Sequence, residues 1–351
     1  MTAANQPILL GMGNPLLDIA AEVDPSLLEK YGLEANNAIL ADATHMPLYQ
    51  ELIASYEVEY VAGGATQNSI RGAQWLMPAN KTAYIGCVGK DHFADKLASA
   101  AAADGVATHY MKTDEVPTGT CAVLITKKGA ARSLVANLSA AEKYKVDHLQ
   151  QPETWAVVEG AKYYYISGFF LTVSPPSIMA VAKHAAENNK TFCMNLSAPF
   201  VSQFFTQPLD AAIPYMDYLF GNETEAAAFA EAHGWAERDV KEIAKKIVTM
   251  PKVNGARSDD VIVATLDAQG NVTAEDHPII PVAKEQIVDT NGAGDAFVGG
   301  FLAELAQERD IDTCIKAGMW AAHIVIQQSG PVYPKNIEKP QDFAKLNYKD
   351  V

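Results

Sequence analysis

Short apolar runs alternate along most of the chain with longer amphipathic or alanine-rich runs. Apolar runs of about four to eight residues are typical of buried strands, and apolar positions that recur every three or four residues are typical of helices. The predicted strands are 8–13, 82–88, 162–168, 191–195, 218–221 and 261–265. The predicted helices are 66–77, 92–103, 175–188, 223–233, 239–250, 295–305 and 312–327. Because strands that alternate with helices form parallel βαβ units, this pattern predicts an α/β fold with a covered, mainly parallel sheet.

Two parts of the chain do not follow this alternation. Residues 18–60 are acidic and mixed, whereas 119–125 and 132–137 read as two strands on either side of a Lys-Lys-Gly turn, which is a hairpin pattern. We predict that both parts form a small lid inserted into the α/β body. Because ligands of open α/β sheets bind beyond the carboxyl ends of the strands, a lid hinged there would exclude water from a reaction.

The composition narrows the range of partners. The chain has 351 residues, of which 49% are hydrophobic and 20% charged, as expected for a folded protein of one or two domains. Its formal net charge is −15. Because an acidic surface repels nucleic acid and anionic membranes, we expect neither as a partner. A nucleotide substrate would have to be held by local backbone N–H groups, a metal ion and a few basic side chains.

No targeting or membrane segment is predicted. Residues 1–7 contain no basic run followed by an apolar run, and the longest apolar stretch, 163–173, is too short to span a bilayer. The four cysteines are far apart and lack zinc or redox spacing, which favours a reducing compartment: Cys87, Cys121, Cys193 and Cys314. We predict a cytoplasmic monomer, with the nucleus left open as a second location.

The most informative stretch is 289–300, which reads Asp-Thr-Asn-Gly-Ala-Gly-Asp-Ala-Phe-Val-Gly-Gly. Gly292 and Gly294 permit a sharp turn before a predicted buried helix, and backbone N–H groups at a helix start bind anions. Asp295 lies in the first turn of that helix, where a carboxylate can accept a proton from a substrate hydroxyl while N–H groups stabilise a transferring phosphoryl group. An ordinary glycine turn with a first-turn acid explains the local pattern equally well.

Polar side chains also follow the first strand and open the first predicted helix. Asn14 and Asp18 are suited to hydrogen-bond the vicinal hydroxyls of a sugar, or alternatively to form an Asx turn and a cap. Gly63 and Gly64 permit a close approach of the backbone to a ligand, and Asn68 follows on the first helical turn. The alternative is a plain turn before a capped helix.

Three further side chains suit the phosphate end of a nucleotide. Asn222 and Glu225 lie one helical turn apart just after a predicted strand, which suits a hydrated Mg²⁺ near phosphates. The alternative is an N-terminal cap with an acid that matches the helix dipole. Arg132 stands among small and apolar residues of the predicted lid, where it either reaches a phosphate or is an ordinary solvated arginine.

Aromatic residues and missing motifs complete the local analysis. Phe169, Phe170 and Phe200 either pack in the core or line a slot for a flat heterocycle. Residues 86–91 lack the first glycine and the Ser/Thr of a P-loop, and residues 11–16 lack the third glycine of a dinucleotide-binding fingerprint. These two common routes to a nucleotide site are therefore not predicted.

Seven segments together resemble the ribokinase (PfkB) family of sugar and nucleoside kinases. They occur in the order expected for the family and span nearly the whole chain: 13–18, 63–68, 117–120, 168–172, 195–200, 220–225 and 289–295. The two glycine-rich segments, 63–68 and 289–295, are similar to the family's two signatures. The additional Asn291 resembles the pattern of the members that phosphorylate adenosine.

The resemblance implies a fold, a reaction and its cofactors. It implies a ribokinase-like three-layer α/β/α domain formed by 1–15, 66–117 and 138–351, and a small α/β lid formed by 16–65 and 118–137. The implied reaction transfers a phosphoryl group from ATP, with Mg²⁺, to the 5′-hydroxyl of adenosine to give AMP and ADP. A potassium ion near the 289–290 turn is an additional expectation.

The resemblance also implies a role for each site residue. Asp295 would be the general base, Gly292, Ala293 and Gly294 the anion hole, and Arg132 the lid residue on the phosphate side. The ribose side would be formed by Asn14, Asp18, Gly63, Gly64, Ala65 and Asn68. The adenine pocket would be walled by Leu16, Leu40, Leu134, Ala136, Phe170 and Phe200. The nucleotide would contact Asn195, Asn222, Thr265 and Asn291, and the metal would be held by Asn222 and Glu225.

Three positions depart from the family pattern, and two other functions stay open. Ala38 and Ala65 stand where glutamine and serine are expected, and Thr265 is followed by Leu-Asp-Ala-Gln-Gly in place of a Thr-x-Gly turn. One alternative function is the same chemistry on inosine, guanosine or ribose. The other is a binding protein that keeps the fold and has lost catalysis.

Overall fold

The structure is a computed structural model that describes residues 6–35, 37–126, 131–253, 264–266, 272–274, 277, 280, 282–283, 286–328 and 330–346. Within these residues the strands are β1 (Leu9–Met12), β2 (Leu16–Glu22), β3 (Ala38–Leu40), β4 (Glu59–Gly63), β5 (Thr82–Gly89), β6 (Ala107–Thr113), β7 (Thr120–Thr126), β8 (Ala131–Asn137), β9 (Tyr163–Ser167), β10 (Thr191–Asn195), β11 (Tyr218–Phe220), β12 (Ala264–Leu266) and β13 (Val272–Ala274).

The α-helices alternate with these strands over most of the described chain. They are α1 (Pro25–Lys30), α2 (Met46–Ser55), α3 (Ala65–Leu76), α4 (His92–Ala103), α5 (Val146–Leu149), α6 (Pro152–Gly160), α7 (Pro175–Glu187), α8 (Pro199–Phe204), α9 (Thr206–Ala212), α10 (Glu223–Ala232), α11 (Val240–Val248), α12 (Ala293–Leu305) and α13 (Ile311–Val325). Throughout the described ranges, none of the helices combines the length and the apolar character that crossing a membrane requires.

The chain divides into two compact units. The first unit comprises Met1–Gly13 and Tyr144–Pro278, and the second comprises Asn14–Lys143 and Ile279–Val351. The domain division predicted from the sequence, with a lid of 16–65 and 118–137, is a different one and stays a prediction.

Parallel strands form the sheet of the first unit. Strands β11, β10, β9 and β1 lie side by side in that order, and each neighbouring pair is parallel. The middle strands consist of apolar and aromatic residues that are almost fully buried, as parallel strands covered by helices require. The short strands β12 and β13 form a separate antiparallel pair in the same unit.

The second unit contains a parallel pair, β5 and β6, and a five-stranded mixed sheet. The order in the mixed sheet is β3-β8-β7-β2-β4, in which β2 pairs parallel with β7 and antiparallel with β4. All five strands come from the two segments predicted to form the lid. The predicted α/β fold with a mainly parallel central sheet is confirmed, and the function of the mixed sheet as a lid stays a prediction.

The two faces of the mixed sheet differ because side chains alternate along a strand. In β2, Ile19 and Ala21 pack against α1 and α2 in one buried cluster. Leu16 and Ala20 belong to a second cluster on the opposite face. Asp18 lies between Leu16 and Ala20 and shares their face, which we call the Asp18 face.

Helices α3, α12 and α13 pack tightly in the second unit. A Cβ atom on Gly299 of α12 would lie 2.7 Å from the Ser69 carbonyl oxygen and 3.0 Å from the Gly72 Cα of α3. Only a glycine permits this approach, and it brings the first turns of the two helices together. Helix α12 begins at Ala293, two residues before the predicted start, because Gly292 is its N-cap.

Candidate active site

The turn that precedes α12 contains Gly292 and is stabilised by hydrogen bonds to Asp289. Asp289 accepts hydrogen bonds at Oδ1 from the Asn291 backbone N–H (2.8 Å) and from Asn291 Nδ2 (3.0 Å). Gly292 then adopts a left-handed conformation with φ of +82°, which side chains with a Cβ atom rarely tolerate. The first backbone N–H groups of a helix lack partners within that helix and carry a positive dipole, so this turn is chemically suited to an anion.

Asp295 stands in the first turn of α12 and is partly exposed. Its Oδ2 accepts a hydrogen bond of 3.0 Å from Nδ2 of Asn68, a buried residue in the first turn of α3. The family resemblance implied that both residues belong to the site, and the structure brings them into contact. The arrangement offers a carboxylate oriented by an amide at a helix start that can hold a phosphoryl group.

The turn before α3 requires a glycine as well. Gly64 has a φ of +95° and is the N-cap of the helix, and a Cβ atom there would collide with the Asn14 carbonyl oxygen. This contact holds Asn14 beside the glycine pair, and the role of these residues on the ribose side stays a prediction. The Asn14 side chain is buried, and its Oδ1 has no hydrogen-bond partner among the residues that the structure describes. Ala65 begins α3 and is half-buried.

The Asp18 face collects the aliphatic residues predicted for the nucleoside. Leu134 and Ala136 of β8 pack beside the cluster that contains Leu16, so all three share this face with Asp18. Leu40 is the register partner of Ala136 and is 60% exposed, which makes it an apolar side chain open to a ligand. A carboxylate bordered by aliphatic side chains suits a molecule with hydroxyls at one end and a flat apolar ring at the other.

The Asp18 side chain is only 7% exposed, so ionising its carboxyl group away from water costs free energy. Burial raises the pKa of Asp18 from 3.8 to about 6, against the opposing charges of Arg132 and Arg71, which lower it. When nearby positive charges do not fully replace the lost hydration of a buried carboxylate, that carboxylate is a strong acceptor for ligand hydroxyl groups.

Arg132 is buried and joins β8 to the glycine turn. It is 6% exposed, and its Nε lies 3.2 Å from Oδ2 of Asp289, aligned as an ion pair and not as a hydrogen bond. Gly330 packs on the guanidinium, since a Cβ atom there would lie 2.6 Å from Nη1. The alternative of a solvated surface arginine is therefore wrong, and the guanidinium is held at the turn predicted to bind phosphate.

The aromatic pair of the first unit differs from the predicted one. Phe170 is fully buried and packs on Tyr144 with ring centroids 5.6 Å apart, so it belongs to the core. Its neighbour Phe169 is partly exposed, and its ring lies 6.0 Å from that of Phe200. The chain turns within a short 3₁₀ helix, Gly168–Thr172, which directs consecutive side chains in different directions. The accessible aromatic surface therefore comes from Phe169 and Phe200.

Asn195 fixes the start of that 3₁₀ helix. Its Oδ1 accepts hydrogen bonds from the Gly168 backbone N–H (3.0 Å) and from the Ser197 hydroxyl (2.6 Å). The Ser197 hydroxyl in turn accepts a hydrogen bond from the Phe169 backbone N–H (3.1 Å). In this structure Asn195 holds the loop that carries Phe169, and its predicted contact with the nucleotide stays a prediction.

Asn222 and Glu225 form a reciprocal cap at the start of α10. Asn222 Oδ1 accepts from the Glu225 backbone N–H (2.9 Å), and the Glu225 carboxylate accepts from Asn222 Nδ2 (2.8 Å) and from the Asn222 backbone N–H (3.2 Å). The cap that the sequence offered as an alternative is therefore present. Burial raises the pKa of the Glu225 carboxyl above its usual range, while the hydrogen bonds from Asn222 lower it.

The remaining nucleotide-side residues are only partly described. Thr265 lies in β12 opposite Thr273, and nothing is described of its side chain. Residues 267–270, which stand where the family has its Thr-x-Gly turn, lie outside the described residues. No group of three or more His, Cys, Asp and Glu side chains within the described ranges is arranged to bind a metal ion.

Sequence reasoning missed the residues behind Asn68. Arg71 follows Asn68 by three positions on α3, and its Nη1 lies 3.4 Å from Asn68 Oδ1. The Tyr333 hydroxyl donates a hydrogen bond of 2.8 Å to the Asn68 carbonyl. The signal that could have found Arg71 is its position as the charged residue within 66–74 of α3, a stretch that is buried. An isolated buried charge needs a specific partner.

Comparisons with known proteins agree with the family resemblance found in the sequence. The sequence profile of the pfkB family of carbohydrate kinases matches residues 26–338. Adenosine kinase 2 of Arabidopsis thaliana is 54% identical over 96% of this chain and 97% of its own length. The adenosine kinase of Schizosaccharomyces pombe is 46% identical over 93% of this chain and 96% of its own.

Solved structures show the same similarity. The adenosine kinase of Anopheles gambiae, in complex with P1,P4-di(adenosine-5) tetraphosphate, has a TM-score of 0.83 and 49% identity, and the match covers 93% of this chain and 98% of that one. The adenosine kinase of Schistosoma mansoni, in complex with adenosine and AMP, has a TM-score of 0.79 and 35% identity, with 93% and 97% covered.

Proposed function

This chain belongs to the pfkB family of carbohydrate kinases, and from that membership we propose that it transfers the γ-phosphoryl group of ATP to the 5′-hydroxyl of adenosine, giving AMP and ADP. The observation that carries the proposal is the pairing of Asp295 with Asn68 at the anion-binding start of α12. The same unit contains the Asp18 face, with a carboxylate beside aliphatic side chains.

Asp295 acts as the general base. In the proposed reaction its carboxylate accepts the proton of the 5′-hydroxyl, and the oxygen attacks the γ-phosphorus while the bond to the β,γ-bridging oxygen breaks. The backbone N–H groups of Gly292, Ala293 and Gly294 face the charge on the transferring group, and Arg132 adds positive charge at the same turn. Asn68 keeps the Asp295 carboxylate oriented.

The Asp18 face binds the nucleoside. Asp18 accepts hydrogen bonds from the two vicinal ribose hydroxyls, with Asn14 and Asn68 on the same side. The adenine ring lies against Leu16, Leu40, Leu134 and Ala136. In the first unit the partly exposed rings of Phe169 and Phe200 form an aromatic surface that suits a flat ring. Phe169 replaces Phe170 in this assignment because Phe170 is fully buried.

Asn222 and Glu225 are proposed to hold Mg²⁺ through its water molecules. Their oxygen donors and the buried carboxylate suit a hard cation, and because the reciprocal cap already uses both side chains, the ion would be held through its water molecules. When bound, the ion would neutralise charge on the ATP phosphates. At the Asp289–Thr290 turn the Arg132 guanidinium already supplies a positive charge, so we do not assign the Asp289 carboxylate to potassium.

Glu225→Gln is expected to raise the Mg²⁺ concentration at half-maximal velocity by about three- to tenfold and to lower the thermal unfolding midpoint slightly. The reason is that glutamine removes the charge that attracts the hydrated ion, and its NH₂ group opposes one of the two hydrogen bonds that the carboxylate accepts from Asn222. The measurement is a Mg²⁺ titration of initial velocity at fixed free ATP. Glu231→Gln, an exposed acid at the far end of the same helix, is the matched control and should leave the titration unchanged. Equal titrations for Glu225→Gln and the wild type would remove Glu225 from the metal site.

A substrate panel tests the reaction itself. Initial rates of ADP formation are measured with adenosine, inosine, guanosine and ribose offered separately with Mg²⁺ and ATP. We expect adenosine to be preferred by at least about tenfold in kcat/KM over each of the others, because the apolar wall favours a purine over a bare sugar and the similar proteins are adenosine kinases. Preference for another acceptor would keep the mechanism and overturn the pocket, and no turnover with any acceptor would favour the binding-protein alternative.

We also propose that the protein is monomeric and works in the cytoplasm. The four cysteines are buried and form no disulfides, which is usual for a protein kept in a reducing compartment.

A further inference from the structure

The Asn68 amide can face Asp295 in two ways, and only one of them stabilises the carboxylate. An amide has two donors on its nitrogen and an acceptor oxygen, so a rotation by half a turn would replace a hydrogen bond to Asp295 by a repulsion. In the structure the nitrogen faces Asp295 at 3.0 Å. Asp295 by itself cannot hold the Asn68 amide in this orientation once its own carboxylate takes up a proton during a reaction. A second group, on the far side of the amide, must therefore favour the orientation.

Arg71 occupies that far side. Its Nη1 lies 3.4 Å from Asn68 Oδ1, a long distance for a hydrogen bond but one at which a full positive charge still favours the oxygen over the NH₂ group. Arg71 is 6% exposed, so solvent screens this interaction little. The cation therefore selects the orientation in which the amide nitrogen is presented to Asp295.

The guanidinium is fixed from several directions. Its Nε donates to Oδ2 of Asp104 at 2.6 Å, and Nη1 also donates to the Ala62 carbonyl oxygen just before the glycine pair. The Tyr333 ring lies 5.6 Å from its Cζ, and the Tyr333 hydroxyl donates to the Asn68 carbonyl. Burial and the nearby Asp295 carboxylate raise the pKa of Tyr333 well above its usual value, so it stays a donor.

We propose that Arg71 is a positioning residue for phosphoryl transfer: held by Asp104, it orients the Asn68 amide, which in turn orients the carboxylate of Asp295. The inference rests on the proposed role of Asp295 as the base. It assigns a function in the reaction to an ion pair that would otherwise be attributed only to the attachment of α3 to the end of α4. Because the effect passes through Asn68, it can be separated from that structural role.

The test is a double-mutant cycle of Arg71→Lys and Asn68→Ala, measured as kcat at saturating adenosine and MgATP. Lysine keeps the charge opposite Asp104 but has one ammonium group, which cannot also face Asn68 and Ala62. We expect each single variant to lower kcat by about 10–100-fold, the order of loss that misorientation at a reacting centre causes. The double variant should be within about threefold of Asn68→Ala alone, because the residues act in series.

Separate controls distinguish the possible failures. If the losses of the two single variants multiply in the double variant, Arg71 does not act through Asn68 and the inference is overturned; a wild-type kcat for Arg71→Lys overturns it as well. If wild-type protein does not phosphorylate adenosine, or Asp295→Asn keeps its turnover, the proposed function has failed instead. Arg309→Lys, which alters an ion pair with Asp342 elsewhere in the same unit, should leave kcat within about twofold.

Asp104→Asn supplies a second cycle if Arg71→Lys does not fold. It keeps the arginine and loosens its attachment, at a side chain that is 23% exposed. It should lower kcat severalfold in the wild-type background and leave kcat unchanged in the Asn68→Ala background. A loss of the same factor in both backgrounds contradicts the proposal.

Discussion

Asp295→Asn is expected to lower kcat by about 10²–10⁴-fold while the dissociation constant for adenosine changes by less than about threefold. The reason is that the variant keeps the shape of the side chain at the start of α12 but cannot accept the proton of the 5′-hydroxyl. Asn68 loses its carboxylate partner, yet an asparagine oxygen can still accept from Asn68 Nδ2. Initial-rate kinetics and calorimetric titration with adenosine measure the two effects separately.

Asp312→Asn is the matched control, since Asp312 is the corresponding first-turn acid of α13 and is exposed. It should retain wild-type kcat and affinity. If Asp295→Asn kept a kcat within about threefold of the wild type, Asp295 would not be the base, and another group would have to accept the proton.

Asp18→Asn is expected to weaken adenosine binding by about 10²-fold. Two hydrogen bonds from ribose hydroxyls to a buried carboxylate become bonds to a neutral amide, whose NH₂ group opposes one of them. Calorimetry at pH 8 measures the effect, and Glu22→Gln at the exposed end of the same strand is the control. Wild-type affinity should itself decrease as the pH falls through about 6, where Asp18 takes up a proton. An affinity unchanged in Asp18→Asn would remove Asp18 from the ribose site.

The same substitution is expected to stabilise the fold above neutral pH. Because burial raises the folded-state pKa of Asp18 from 3.8 to about 6, protonation favours the folded state, and the stability from this group is lost as the pH rises through about 6. A shift of this size corresponds to about 3 kcal/mol at pH 8. In urea unfolding, Asp18→Asn should be more stable than the wild type by up to this amount at pH 8, with the difference vanishing near pH 4. A variant less stable at pH 8 would contradict this account.

These two opposite effects of Asp18→Asn follow from one cause. A carboxylate held away from water without enough compensating charge destabilises the empty site and makes it a better acceptor for hydroxyl groups. Arg132 and Arg71 lower the pKa of Asp18 only in part. We expect adenosine to raise the unfolding midpoint more at pH 8 than at pH 5, because the ligand satisfies the ionised carboxylate.

The sequence could predict the elements because their periodicity is local. The helix predicted for 92–103 and the strand predicted for 191–195 occur with these bounds, and the bounds of the two strands of the predicted hairpin differ from the predicted ones by no more than one residue. Helix α12 starts before Asp295 because its N-cap is decided by the left-handed Gly292, a backbone conformation that apolar patterning does not record. The family resemblance was also available from the sequence, since its segments keep their order.

The sequence could not decide which chemical alternative applies at each position. For Asn222 and Glu225 the cap is present, while for Arg132 the solvated alternative is wrong because the guanidinium is buried against Asp289. Phe170, which was predicted to wall the adenine pocket, is fully buried, whereas Phe169 is partly exposed, because the chain turns within one 3₁₀ helix. Burial and side-chain direction depend on neighbours that are distant in sequence.

The amino-acid sequence by itself determined the α/β class, the family, and the glycine turns that precede Asn68 and Asp295. Only the tertiary structure decided that these two side chains meet, since α3 and α12 are separated by more than two hundred residues and approach each other at Gly299. It also decided that Arg71 stands behind the pair. Local patterns fix backbone conformation through steric limits on each residue, whereas the charge and orientation of a site depend on packing between elements that no local pattern specifies.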